Sequence, residues 1–261
     1  MWSLKTNLWV KLINEKIKEQ IVMYGYYKSP LNPLRITKEG IHLQIEKEGN
    51  TLRYVRTSSN ESIEKILLTK DCGIIINPIE AQKLHKQVSQ YLLIEYEKSV
   101  FVEPKDTNNI YLTFPVDIGV FISGRKNYDL LDAFTLARQK YTLYGDPRNG
   151  VICKYHKSPV FTSIPNNLNP LVNGVMKLKL INTTDDWIEI TKSVFDSHEM
   201  KVYFNENLVS MRAHMKILNE KIAETEFVNS GIKRGMKKAL EVFEPAKITV
   251  SQKKFTMEEG L

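Results

Sequence analysis

Seven apolar side chains recur at every second position from Ile110 to Ile122: Ile110, Leu112, Phe114, Val116, Ile118, Val120 and Ile122. The positions between them are mixed, with Tyr111, Thr113, Pro115, Asp117, Gly119 and Phe121. Successive side chains of a strand point to opposite faces of its sheet, so this period predicts β-structure with one face against a core. Thirteen extended residues would span about 43 Å, which is long for one strand of a globular domain. Pro115, in the middle, has no N–H to give to a ladder. The segment therefore reads as two strands, or as one strand bent where it passes between sheets. Its even face belongs to the core. Any contribution to function falls to Tyr111, Thr113 and Asp117 on the odd face, and Asp117 reads most simply as an ordinary outward residue.

The same alternation returns along the chain. Ile41, Leu43 and Ile45 alternate with polar residues, Glu48-Gly49-Asn50 supplies a turn, and Leu52 and Tyr54 resume the pattern as a hairpin. Met176, Leu178 and Leu180 alternate with lysines, and Val209, Met211, Ala213, Met215 and Ile217 form a second clean stripe. Gly145-Asp146-Pro147-Arg148-Asn149-Gly150 joins two β-prone runs, with Asp-Pro setting a type I turn and Asn-Gly supplying positive φ. Short helices are expected at Ala81–Val88 and from Ile232 to Phe243, residues 129–138 fit either helix or strand, and Lys247–Phe255 reads as a closing strand. Pro159, Pro165 and Pro170 mark 158–174 as the best linker. The fold expected is mainly β, with two β-sandwich-like domains and a few short helices. A β-rich N-terminal domain would span 1–160 and a smaller, Ig-like sandwich 171–261.

Charge narrows the partners. The chain of 261 residues carries a net charge of +7. Its 29 lysines far outnumber its 8 arginines. Phosphate and base recognition favours the planar guanidinium fork, so nucleic acid is disfavoured as a partner. The two cysteines, Cys72 and Cys153, exclude a disulfide framework and fit a reducing cytoplasm. No apolar run is long enough for a membrane span. Residues 1–27 place Trp9, Ile13, Ile17 and Ile21 at helical spacing, which predicts an amphipathic leading helix packed on its own domain. The alternative is a membrane-surface contact through residues 1–21.

At IYLTFPVDIGVFIS and YTLYGDPRNGVICKY the chain resembles an archaeal protein family known only as a domain of unknown function. The resemblance covers most of the chain from about Tyr24 onward. It implies an archaeal source and transfers no catalytic residue, because both stretches are structural in character.

No nucleophile elbow, phosphate loop or metal-ligand spacing stands out. Cys153 and His156 are three apart on an expected strand and so point to opposite faces, which disfavours a joint metal site. No cofactor is implied. Tyr141, Tyr144, Asp146, Arg148, Tyr155 and His156 gather around one turn and form, with Asp117, the candidate binding set. The structural alternative has Asp146 capping its own turn and the tyrosines packed on the sheet. The leading expectation is a non-enzymatic binding or scaffold module with a protein partner. A hydrolase acting on a carbohydrate is the alternative, and it requires carboxylates such as Asp117, Glu95 and Glu103 to converge.

Overall fold

A computed structural model describes residues 23–29, 34–58, 61–80, 89–124, 127–241 and 254–261. The helix expected at 1–27, the membrane contact at 1–21 and the helix at 81–88 lie wholly or mostly outside these residues. So does most of the closing strand expected at 247–255. The chain is nearly all β, and one 3-10 turn, Ser197–Glu199, is the only helix among the described residues.

The chain divides into two compact units, 1–76 with 122–128, and 77–121 with 129–261. The first holds β1 (Gly25–Ser29), β2 (Leu34–Lys38), β3 (Ile41–Glu48), β4 (Thr51–Thr57) and β5 (Ser62–Leu67). Strand β6 (Cys72–Ile79) begins in it and ends in the second unit. β2 to β5 form an antiparallel meander in sequence order. The alternation predicted for the β3–β4 hairpin sorts its faces: Ile41, Leu43, Ile45, Leu52 and Tyr54 are buried. Arg53 lies on the other face, paired with Glu64 at 2.7 Å. Glu39 and Gly40, between β2 and β3, both adopt positive φ, 52° and 76°. Two such residues give the turn whose twist matches the flanking strands.

The second unit opens with β7 (Tyr91–Val102) and β8 (Thr107–Pro115); β9 (Asp117–Ser123) begins in it and ends in the first unit, and β10 (Tyr128–Thr135) begins in the first and continues in the second. β11 (Tyr141–Tyr144), β12 (Val151–Ser158), β13 (Asn173–Asn182) and β14 (Ile188–Asp196) come next. β15 (Tyr203–Phe204), β16 (Val209–Ile217), β17 (Ala223–Val228), β18 (Lys237–Lys238) and β19 (Lys254–Met257) complete the order. One sheet runs β11-β12-β7-β14, and another runs β18-β15-β16-β13-β8, with β17 on β16 and β19 on β17. The two predicted stripes lie side by side, Met176 against Met211, Leu178 against Ala213 and Leu180 against Met215, all buried.

The opening alternation breaks at Val116. β8 ends on Pro115 in the sheet with β13, and β9 continues in a different sheet, beside β10. Burial is not confined to the even face: every residue from Leu112 to Phe121 is buried. The outward placement of Asp117 is therefore wrong. A segment passing from one sheet to the next is covered on both sides.

Other expectations change with strand pairing. Residues 129–135 belong to strand β10. The segment after Ile232 is irregular and carries the short β18; Gly235, at φ 83°, interrupts the helical spacing of Ile232, Met236 and Leu240. A boundary at 160–170 does not separate the units, because β13 pairs with β8 and β14 with β7. The proline-rich stretch returns to the sheet: Tyr111 and Phe161 exchange backbone hydrogen bonds of 2.8 and 2.9 Å. The pairs β7–β12 and β13–β16 are parallel, unlike the antiparallel ladders of an Ig-like sandwich.

Candidate functional site

Strand β12 sorts the candidate residues by parity. Lys154, His156 and Ser158 lie on one face of its sheet, and Cys153, Tyr155 and Lys157 on the other.

The first face is dry. Lys154 Nζ donates to both Asp117 carboxylate oxygens, at 3.0 and 2.9 Å. The two side chains are 4% and 0% exposed. Burial first, and then the Asp117 charge, pushes the Tyr141 phenol upward. Further along, the Thr113 N–H and hydroxyl both donate to Ser158 Oγ, at 2.7 and 3.1 Å, and Ser158 Oγ donates to Pro159 O. With its hydrogen given to Ser158, Thr113 Oγ1 must accept from His156 Nε2, 2.9 Å away, which places the imidazole proton on Nε2. Burial, reinforced by the Lys154 ammonium, pushes His156 down to about 4, so this imidazole is neutral.

The second face is concave. A cleft of about 530 Å³ lies over β7, β11, β12 and β14. Leu93 and Tyr155, cross-strand neighbours, contribute to its lining, as do Glu95 and Lys192, which pair across β7 and β14. Thr142 and Tyr144 line it from β11, Gly145 and Asp146 from the following turn, and Glu259 from the segment after β19. Burial raises Tyr144 to about 12. Its hydroxyl donates to Gly260 O at 3.1 Å and accepts from the Glu259 N–H at 3.0 Å, tying the 254–261 segment to the cleft. Gly145, at φ 95°, permits the approach: a Cβ there would sit 2.9 Å from Glu259 Cγ. Lys192 Nζ stands 5.7 Å from the Tyr144 ring centre. Glu95 is 3.7 Å from Lys157, and burial followed by the Glu95 charge raises the Tyr155 phenol.

Of the seven residues singled out from sequence, Tyr144, Asp146 and Tyr155 come together in the cleft. Asp117, Tyr141 and His156 belong to the opposite face of the sheet. Arg148 sits exposed on the turn. Asp146 does cap that turn, accepting the Arg148 N–H at 2.7 Å and the Asn149 N–H at 3.3 Å. Sequence reasoning missed Lys154, Lys192 and Glu259. Lys154 carries one signal, a charge between Cys153 and Tyr155 in a β-prone run. Glu259 carries none, because its place depends on pairing over a long separation. Among the described residues, no group of three or more His, Cys, Asp or Glu side chains is placed to hold a metal. Cys72 and Cys153 are free thiols, and burial pushes Cys153 up to about 12. Among the described residues no helix is long and apolar enough to cross a membrane.

These features define a nearly all-β protein with a polar cleft on one sheet face and a buried ion pair beneath it. The chain belongs to the family described as "Protein of unknown function (DUF432)", whose family model matches residues 23–258. Neither the curated proteins nor the solved structures searched contain a match.

Proposed function

We propose that this protein is a non-enzymatic binding module and that the cleft over β7, β11, β12 and β14 is its recognition site. The observation that carries this reading is the cleft's construction. Four strands, a capped turn and a segment about a hundred residues further on converge on one concave space, and strands hold side chains more rigidly than loops do. Its volume lies within the range of about 300–1,000 Å³ usual for small-molecule sites. Carboxylates outnumber ammonium groups along it, which opposes a nucleic acid and suits a polar ligand, free or displayed on a partner protein.

The carboxylates invoked for a hydrolase do not support that alternative. Glu95 lines the cleft, Asp117 is sealed against Lys154 on the other side of the sheet, and Glu103 is exposed. A glycosidase built on this trio would need two of its members flanking one bond, and only Glu95 reaches the cleft.

The test is a thermal-shift screen of polar metabolites and oligosaccharides against the wild-type chain and a Glu95→Gln/Tyr155→Ala variant. A ligand at about 100 times its Kd adds about 2.7 kcal/mol, a rise of roughly 5–10 °C for a chain of this size. The expected result is at least one compound that raises the wild-type melting temperature and leaves the variant's unchanged. A screen in which no stabilising compound depends on the cleft overturns the reading.

A further inference from the structure

The cleft supplies both halves of what a hydroxyl group needs. The carboxylates of Glu95, Asp146 and Glu259 accept hydrogen bonds and do not donate, the Lys192 ammonium donates and does not accept, and the Thr142 hydroxyl does both. A ligand hydroxyl is donor and acceptor at once, so a polyol can satisfy this mixture. An anionic ligand meets three lining carboxylates, of which Glu95 has Lys157 3.7 Å away, against one lining ammonium. An apolar ligand strips water from these groups and returns no hydrogen bond. The tyrosines divide the remaining work. Tyr144 is buried and its hydroxyl is committed to Gly260 and Glu259, so it holds the wall. Tyr155 is half-buried beside Glu95 and offers an aromatic surface between polar groups. An aromatic surface flanked by hydrogen-bonding groups matches the two sides of a sugar ring, apolar C–H groups on its face and hydroxyls around its rim.

We infer that the cleft takes a neutral, polyhydroxylated ligand, a sugar of small-oligosaccharide size, with its hydroxyls on Glu95, Glu259 and Lys192 and its C–H face on Tyr155. This rests on the reading of the cleft as a recognition site and names its ligand class.

The test uses the full chain on an array of neutral, anionic and amine-bearing glycans, with binders then measured by calorimetry. Neutral glycans are expected to bind. Glu95→Gln and Tyr155→Ala should each weaken them by roughly tenfold or more, the effect of losing a hydrogen bond to a charged group or an aromatic contact. Tyr155→Phe, which keeps the ring, should retain most of the affinity. Melting curves of the same variants separate lost binding from lost folding. Binding confined to anionic or amine-bearing glycans, no glycan binding, or neutral-glycan binding indifferent to both Glu95→Gln and Tyr155→Ala each overturns the sugar assignment. The broader reading survives any of these if the metabolite screen yields cleft-dependent compounds, and falls with the assignment if it does not.

Discussion

Replacing Lys154 with Met tests whether the ion pair beneath the cleft holds the unit together. The ammonium contacts both oxygens of Asp117 at 3.0 and 2.9 Å, and neither side chain is open to water. Two unit charges 3 Å apart attract by about 5–6 kcal/mol at an effective dielectric of about 20. Most of that repays the desolvation of the two ions, so the intact pair adds little net stability. Removing one partner is different, because the carboxylate stays buried without its counter-charge. The expected cost of Lys154→Met is about 3–5 kcal/mol, against a total of about 5–15 kcal/mol for a typical domain. Asp117→Asn alone should also destabilise, since it leaves the ammonium buried. The double variant has no buried charge to compensate and should recover about 2–3 kcal/mol relative to the sum of the single changes. Urea denaturation at pH 7 measures all three. Single variants that each cost under about 1 kcal/mol, or that simply add in the double, refute the argument that these charges depend on one another.

Acid stability should report on His156. Its pKa falls from 6.5 to about 4 on folding, so between those values the unfolded chain binds the proton and the folded chain does not. Stability is complete above about pH 6.5 and is lost as the pH falls towards 4, by about 3 kcal/mol from this group. His156→Gln keeps a donor for Thr113 and should remove that part of the slope, so urea midpoints from pH 7 to 4 that fall equally in both proteins would count against it. Gly174→Ala should cost about 1–3 kcal/mol, because the new Cβ would sit 2.3 Å from Cζ of the buried Phe114 ring. Adding Phe114→Leu should lessen that penalty, and thermal melts of the pair show whether it does. Asn182→Ala should cost about 2–3 kcal/mol, read by the same denaturation assay, because Asn182 Nδ2 serves the carbonyls of Val102, Glu103 and Asp186.

The parts of this molecule legible in its sequence are those fixed by near neighbours. The β3–β4 hairpin, the stripes of β13 and β16 and the capped turn at 145–150 each follow from alternation or turn chemistry within a few residues. The break at Val116 was legible for the same reason, since length and Pro115 are local facts. What stayed hidden depends on which strands pair. Asp117 looked exposed because nothing around it announces a counter-charge, and its partner lies 37 residues further on. The proline-rich stretch at 158–174 looked like a linker because its composition cannot reveal that Phe161 bonds back to Tyr111. Helical spacing at Ile232, Met236 and Leu240 misled because a few apolar residues at intervals of four can arise without a helix.

The same distinction explains how much of the cleft could be seen. Tyr144, Asp146 and Tyr155 sit within one hairpin, so a search for clustered side chains finds them. Glu95 and Lys192 reach the cleft only because β12 and β14 flank β7, one in parallel and one in antiparallel pairing. The parallel pair cannot be made by a tight turn, and β7 and β12 lie far apart in the chain. Alternation along β12 puts Tyr155 and His156 on opposite faces, a local fact that grouping both around one turn overlooked. It could not say which face closes against another sheet and which stays open. That depends on what covers each side: the Thr113–His156–Ser158 network shows β8 closing one, while on the other the 254–261 segment packs Phe255 on Tyr91 and Tyr144 and bonds Leu261 O to Thr191, and the cleft stays open beside Glu259. A binding site of this kind is therefore divided between a local part, readable as a cluster, and a remote part that exists only once the sheet has formed.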